Sequence, residues 1–147
     1  MTQYTHILVA IDFAGSASTI LDKARKIAER NKAKLSLLHI VEYLPPIDSA
    51  YEPILASNWS IDEAQLLRQA EDSLQQLCTQ HSLKDANQSV VLGVPKYAIT
   101  QFVNDHQCDL VVMGSHGRHG ISLLLGSTAN AVLHEMPCDI LAVKIKA

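Results

Sequence analysis

The chain has few charged residues, no long apolar run and no basic cluster, and each shortage excludes a class of protein. Charged residues make up 18% of the 147, against 48% hydrophobic, which is too apolar for a disordered chain and reads as an ordinary globular one. The net charge is -3 and the lysines and arginines are scattered, so no nucleic-acid-binding face is expected. No apolar segment is long enough to cross a bilayer, and Met1 to His6 holds no basic lead into an apolar leader. A cytoplasmic protein with no membrane partner is expected. The three cysteines, Cys78, Cys108 and Cys138, are odd in number and far apart, which signals neither a disulfide framework nor a zinc site. They read as reduced, packed thiols.

What is present alternates between two patterns. His6 to Ile11 is a nearly unbroken aliphatic run, the mark of a strand covered on both faces. Ile20, Leu21, Ala24, Ile27 and Ala28 then recur at helical spacing, with Asp22, Lys23, Lys26 and Glu29 opposite. Leu35 to Val41 is a second buried strand. Leu44 to Pro53 carries enough proline to read as a long loop, and Ser60-Ile-Asp-Glu63 has the form of a capping box opening a helix to about His81. Gln88 to Gly93 gives a third strand, and Pro95 sits where the first turn of a helix accepts proline. Leu110 to Met113, a helix from Ser127 to about Glu135, and a strand from Ile140 to Ile145 complete five strands and four helices. Such alternation predicts one α/β domain over 1–147, a doubly wound parallel sheet. With strand order 3-2-1-4-5, its ligand crevice lies where the winding reverses, between strands one and four, which are expected to end at Asp12 and Gly114.

From Gly114 to Thr128 the pattern changes to a glycine-punctuated loop, Gly114, Gly117, Gly120 and Gly126, leading into a helix. Glycines let a ligand approach the backbone, and the N–H groups of the following helix turn favour an anion. Gly126-Ser127-Thr128 has no preceding lysine, so this is not a Walker A loop. Gly114-x-x-Gly117-x-x-Gly120 lacks the initial Gly-x-Gly of a dinucleotide fingerprint and follows the wrong strand. Asp12 reads as either a turn cap or a ligand to ribose, base or cation. Arg118 is placed to contact phosphate, and His116 and His119 read as surface residues of the loop or as general bases for slow hydrolysis. Ser127 and Thr128 cap the helix and can share phosphate oxygens. His6, His39 and His134 show no metal-site spacing and read as structural.

These segments resemble the universal stress proteins over nearly the whole chain: Ile-Leu-Val-Ala-Ile-Asp12, Leu-Leu-His-Ile40-Val, Gly93-x-Pro95, Asp109-Leu-Val-Val-Met-Gly114-Ser-His-Gly117, Leu-Leu-Leu-Gly126-Ser127 and Pro137-Cys-Asp-Ile-Leu-Ala-Val143 stand in the family's order. One branch of that family binds ATP through Gly-x2-Gly-x9-Gly-[Ser/Thr]; another, resembling universal stress protein A itself, lacks the loop and does not bind. The chain looks like the first branch. The resemblance implies a stress-response protein in which Ala10, Ile11 and Asp12 meet the nucleotide, Asp12 touching ribose or a Mg2+ or Mn2+ ion. It implies that Ile40 frames adenine, and that Met113, Gly114, His116, Gly117, Arg118, Gly126, Ser127 and Thr128 surround ribose and phosphates. It also implies a homodimer through the edge strand Ile140 to Ile145. A dimeric adaptor that binds no nucleotide, and a slow ATPase, are the alternatives. Eight residues separate Gly117 from Gly126, one fewer than the family pattern. A residue of extended chain spans about 3.3 Å, so the loop must run a different path, for which Gly120 offers a kink.

Overall fold

The computed structural model describes residues 3–13, 17–42, 52–83, 86–114 and 136–144. Strands β1 (His6–Ala10), β2 (Lys34–Glu42), β3 (Asn87–Gly93), β4 (Leu110–Gly114) and β5 (Asp139–Val143) form one sheet of order β3-β2-β1-β4-β5, every pair parallel. Helices α1 (Ala17–Asn31), α2 (Glu52–Gln80) and α3 (Pro95–His106) fall between the first four strands.

Side-chain alternation along each strand divides the core in two. Ile7, Val9 and Ile11 pack with Leu37, Leu110 and Val112 against α1, through Ile20, Leu21 and Ala24, and against α2, through Leu74 and Cys78. Leu8 and Ala10 pack with Leu38, Ile40, Val111 and Met113 against α3, through Ile99, Phe102 and Val103. Because α1 follows β1 on one face and α3 precedes β4 on the other, the winding reverses between β1 and β4, as expected. All five residues of β1 and all five of β4 are buried, whereas β3 at the sheet edge is largely half-exposed.

Three boundaries differ from the sequence reading. Helix α2 begins at Glu52, not Ser60. Pro53 falls in its first turn, where the missing N–H has no helical partner to lose. Strand β1 ends at Ala10, two residues before Asp12, and β5 ends at Val143, short of Ile145. The expected helix from Ser127 to Glu135 lies outside the described residues, as does most of the expected loop from Leu44 to Pro53.

All three described helices terminate without glycine. Lys32, Ser82 and Gln107 take the left-handed conformation, with φ of 54°, 58° and 53°. Each lets the next residue's N–H reach back to a helical carbonyl: Ala33 to Ala28 at 2.9 Å, Leu83 to Cys78 at 2.8 Å, Cys108 to Val103 at 3.1 Å. Left-handed backbone costs a residue with a Cβ more than it costs glycine. Gln107→Gly is therefore expected to stabilise the protein by about 0.5–1 kcal/mol, raising the thermal midpoint by roughly 2–3 °C. A thermal melt showing no rise would contradict this account of the cap.

Candidate functional site

The reversal of winding leaves a cleft mouth at the carboxyl ends of β1 and β4. The strands are paired through Val9↔Val112, so the next residues along them are Ala10 and Met113, followed by Ile11 and Gly114. Ala10, Ile40 and Met113 are almost fully buried and belong to the same cluster on the α3 face, forming an apolar wall below the mouth. Ile11 points the other way, into the α1/α2 cluster. Gly114 is buried, and Asp12 is half-buried at the rim. His116, Gly117, Arg118, Gly126, Ser127 and Thr128 lie outside the described residues, as does His119.

The chain beyond β1 is held in an unusual path. The N–H of Ile11 donates to the carbonyl of Leu38 at 2.9 Å. Its own carbonyl accepts from Nδ1 of His39 at 2.6 Å. Phe13 then takes a left-handed φ of 58°, and its ring meets that of His39 at a centroid distance of 4.4 Å. His39 was read from sequence as structural only. β2 also carries Lys34, Ser36 and Glu42, so a polar residue within it marks no site by its position alone.

The opposite end of the sheet is a polar network of a different kind. Asp109 accepts from the N–H of Thr5 at 2.8 Å, the Thr5 hydroxyl at 3.0 Å and the N–H of His6 at 3.0 Å. Burial opposes the charged carboxylate, but these bonds outweigh it and hold the group below its ordinary range. A depressed folded value means that the stabilisation is present above the unfolded pKa, about 3.9, and is lost as pH falls through the folded one. Asp109→Asn is therefore expected to lower the urea midpoint above about pH 4.5, with the difference from the parent shrinking toward pH 2.5. A constant difference across that range would contradict it.

Burial also raises the thiols: Cys108 is pushed up to about 12 and Cys138 up to about 11. Thiols so protonated are packing groups, not nucleophiles. Among the described residues no three His, Cys, Asp or Glu side chains gather as a metal site. Asp12 alone would give a cation one carboxylate, which suits a magnesium ion that takes its other ligands from phosphates and water. No helix among the described residues is long and apolar enough to cross a membrane.

The model of the universal stress protein family matches residues 3–144. Universal stress protein A homolog 2 of Coxiella burnetii is 38% identical over 147 residues, covering 99% of each chain. Among solved structures, universal stress protein UspA from Lactobacillus plantarum is similar, with a TM-score of 0.66 and 26% identity over 99% of this chain and 100% of that one. A universal stress protein in complex with cAMP matches with a TM-score of 0.58 and 27% identity, over 97% of this chain and 98% of that one.

Proposed function

Since the chain belongs to the universal stress protein family, we propose that the mouth between β1 and β4 binds an adenine nucleotide, ATP with Mg2+ or Mn2+, and that occupancy switches what this stress protein does. The observation that carries the reading is the apolar wall of Ala10, Ile40 and Met113, which leads up to the half-buried Asp12. An aromatic base needs such a wall, and a ribose hydroxyl or a phosphate-bound cation needs such a carboxylate at its edge. On this reading the phosphates are taken by the glycine-rich segment after Gly114, with Gly117, Gly126, Ser127, Thr128, His116 and Arg118 as the candidate residues. The complex of a similar protein with cAMP supports an adenine nucleotide as the ligand class.

The same reading has the protein act in the cytoplasm as a homodimer. Strand β5 is an edge of the sheet, and Ile140 and Leu141 on it are only half-buried. Pairing with a second copy would cover an apolar edge that otherwise invites indiscriminate association.

A second reading follows from the loop one residue short of the family pattern: an adaptor whose partner contacts ignore nucleotide. Methyl NMR separates the two. ATP with magnesium is expected to shift the methyl signals of Ile40 and Met113 and to leave Leu83, at the far end of the sheet, unmoved. Unchanged Ile40 and Met113 signals at millimolar ATP would leave the adaptor reading standing.

A further inference from the structure

We infer that His39 is a positioning residue for the nucleotide, holding the Asp12 turn in the conformation that aims its carboxylate at the cleft. The inference rests on the nucleotide reading above. Ladder pairing of β1 stops at Ala10, yet Ile11 remains tied to β2 through both of its backbone groups, by its N–H to Leu38 and by its carbonyl to the His39 ring. The second tie is a side-chain bond standing in for a backbone one. A carbonyl only accepts, so Nδ1 carries the proton, and the bond persists whether the ring is neutral or charged.

The tie fixes one end of a costly turn. Phe13 occupies left-handed backbone without being glycine, and such a conformation persists only where its surroundings over-determine it. Those surroundings are the His39 ring against the Phe13 ring and the α1/α2 cluster packed against Phe13. Asp12 lies between the two fixed residues, Ile11 and Phe13, so its backbone has little freedom. Two residues after Leu37, His39 lies with it on the α1/α2 face of the sheet, opposite Ala10, Ile40 and Met113. Its influence therefore passes through the Ile11–Phe13 backbone. A preorganised ligand costs less to engage than one that must be ordered on binding.

Three variants separate this role from simple packing. Leucine fills the ring's space without the bond. Asparagine offers an N–H near the position of Nδ1, and glutamine offers one displaced toward Nε2. With ATP and magnesium titrated by calorimetry at a temperature where each protein is folded, His39→Leu is expected to bind about tenfold more weakly. His39→Asn should stay within about threefold of the parent. Amide exchange at Asp12 and Phe13 in the ligand-free protein should quicken in His39→Leu and not in His39→Asn. If His39→Leu does not fold, His39→Gln carries the same comparison against His39→Asn. Parent-like affinity in His39→Leu or His39→Gln overturns the positioning role alone. A parent protein that takes up no ATP overturns the nucleotide reading and this one together.

Discussion

Asp12→Ala is expected to bind ATP with magnesium some 10- to 100-fold more weakly than the parent, because a hydrogen bond to a charged group contributes about 1.5–3 kcal/mol. The side chain is half-buried at the rim and outside both hydrophobic clusters, so the cost to the fold should be small beside the cost to binding. Asparagine then distinguishes the two roles open to the carboxylate. If Asp12 accepts from ribose, Asp12→Asn keeps the acceptor oxygen and most of the affinity, with or without magnesium. If it holds the cation, Asp12→Asn falls with Asp12→Ala, and the loss disappears when magnesium is withdrawn. Near a triphosphate an unscreened carboxylate repels, so the parent itself should then bind better with the cation than without. Equal affinity of parent and Asp12→Ala would remove Asp12 from the site. Gly117→Val should act from the loop side, since a branched side chain bars close approach of phosphate to the backbone.

The second large effect belongs to the other end of the sheet and to stability alone. His6 is 9% exposed and Ser36 is fully buried, and they form a bridge: His6 Nδ1 donates to the carbonyl of His106 at 3.0 Å, and Nε2 lies 2.6 Å from the Ser36 hydroxyl. With the neutral ring protonated at Nδ1, the hydroxyl is the donor in the second bond. His6→Leu leaves the buried Ser36 hydroxyl and the part-buried His106 carbonyl without this partner and is expected to cost about 1–3 kcal/mol. Ser36→Ala in the same chain removes one of them. The double variant should therefore be about 1 kcal/mol more stable than the sum of the single effects predicts. Urea unfolding of the four proteins measures this, and strict additivity would show that the bridge carries no coupling.

These two sites differ in how far the sequence exposed them. Strands β1 and β4 were legible because burial on both faces leaves an aliphatic run that surface positions interrupt elsewhere. The parallel, doubly wound sheet follows from the alternation, and the order expected for it is the one observed, which brings the ends of β1 and β4 together. The start of α2 was not legible. The prolines before Ser60 read as a loop, yet Pro53 in a first helical turn breaks no hydrogen bond. The helix ends were hidden for a related reason: no glycine marks them, and Lys32, Ser82 and Gln107 take left-handed backbone where the next N–H closes a cap bond. Within the site, Ala10, Ile40 and Met113 were named from the family resemblance, and alternation along the strands is what gathers them on one face. The same alternation turns Ile11 away from that face, into the α1/α2 cluster. His39 escaped because a histidine inside a strand carries no spacing signal; only the three-dimensional path of residues 11–13 gives it a task.

Everything proposed about the cleft depends on whether nucleotide enters it, and calorimetric titration of the unmodified protein with ATP and magnesium measures that most directly. A saturable heat is predicted, together with a thermal midpoint that climbs with ATP concentration, because a ligand bound only by the native state adds about 2.7 kcal/mol of stability at a hundred times its dissociation constant. No heat and no shift at millimolar ATP would contradict the account.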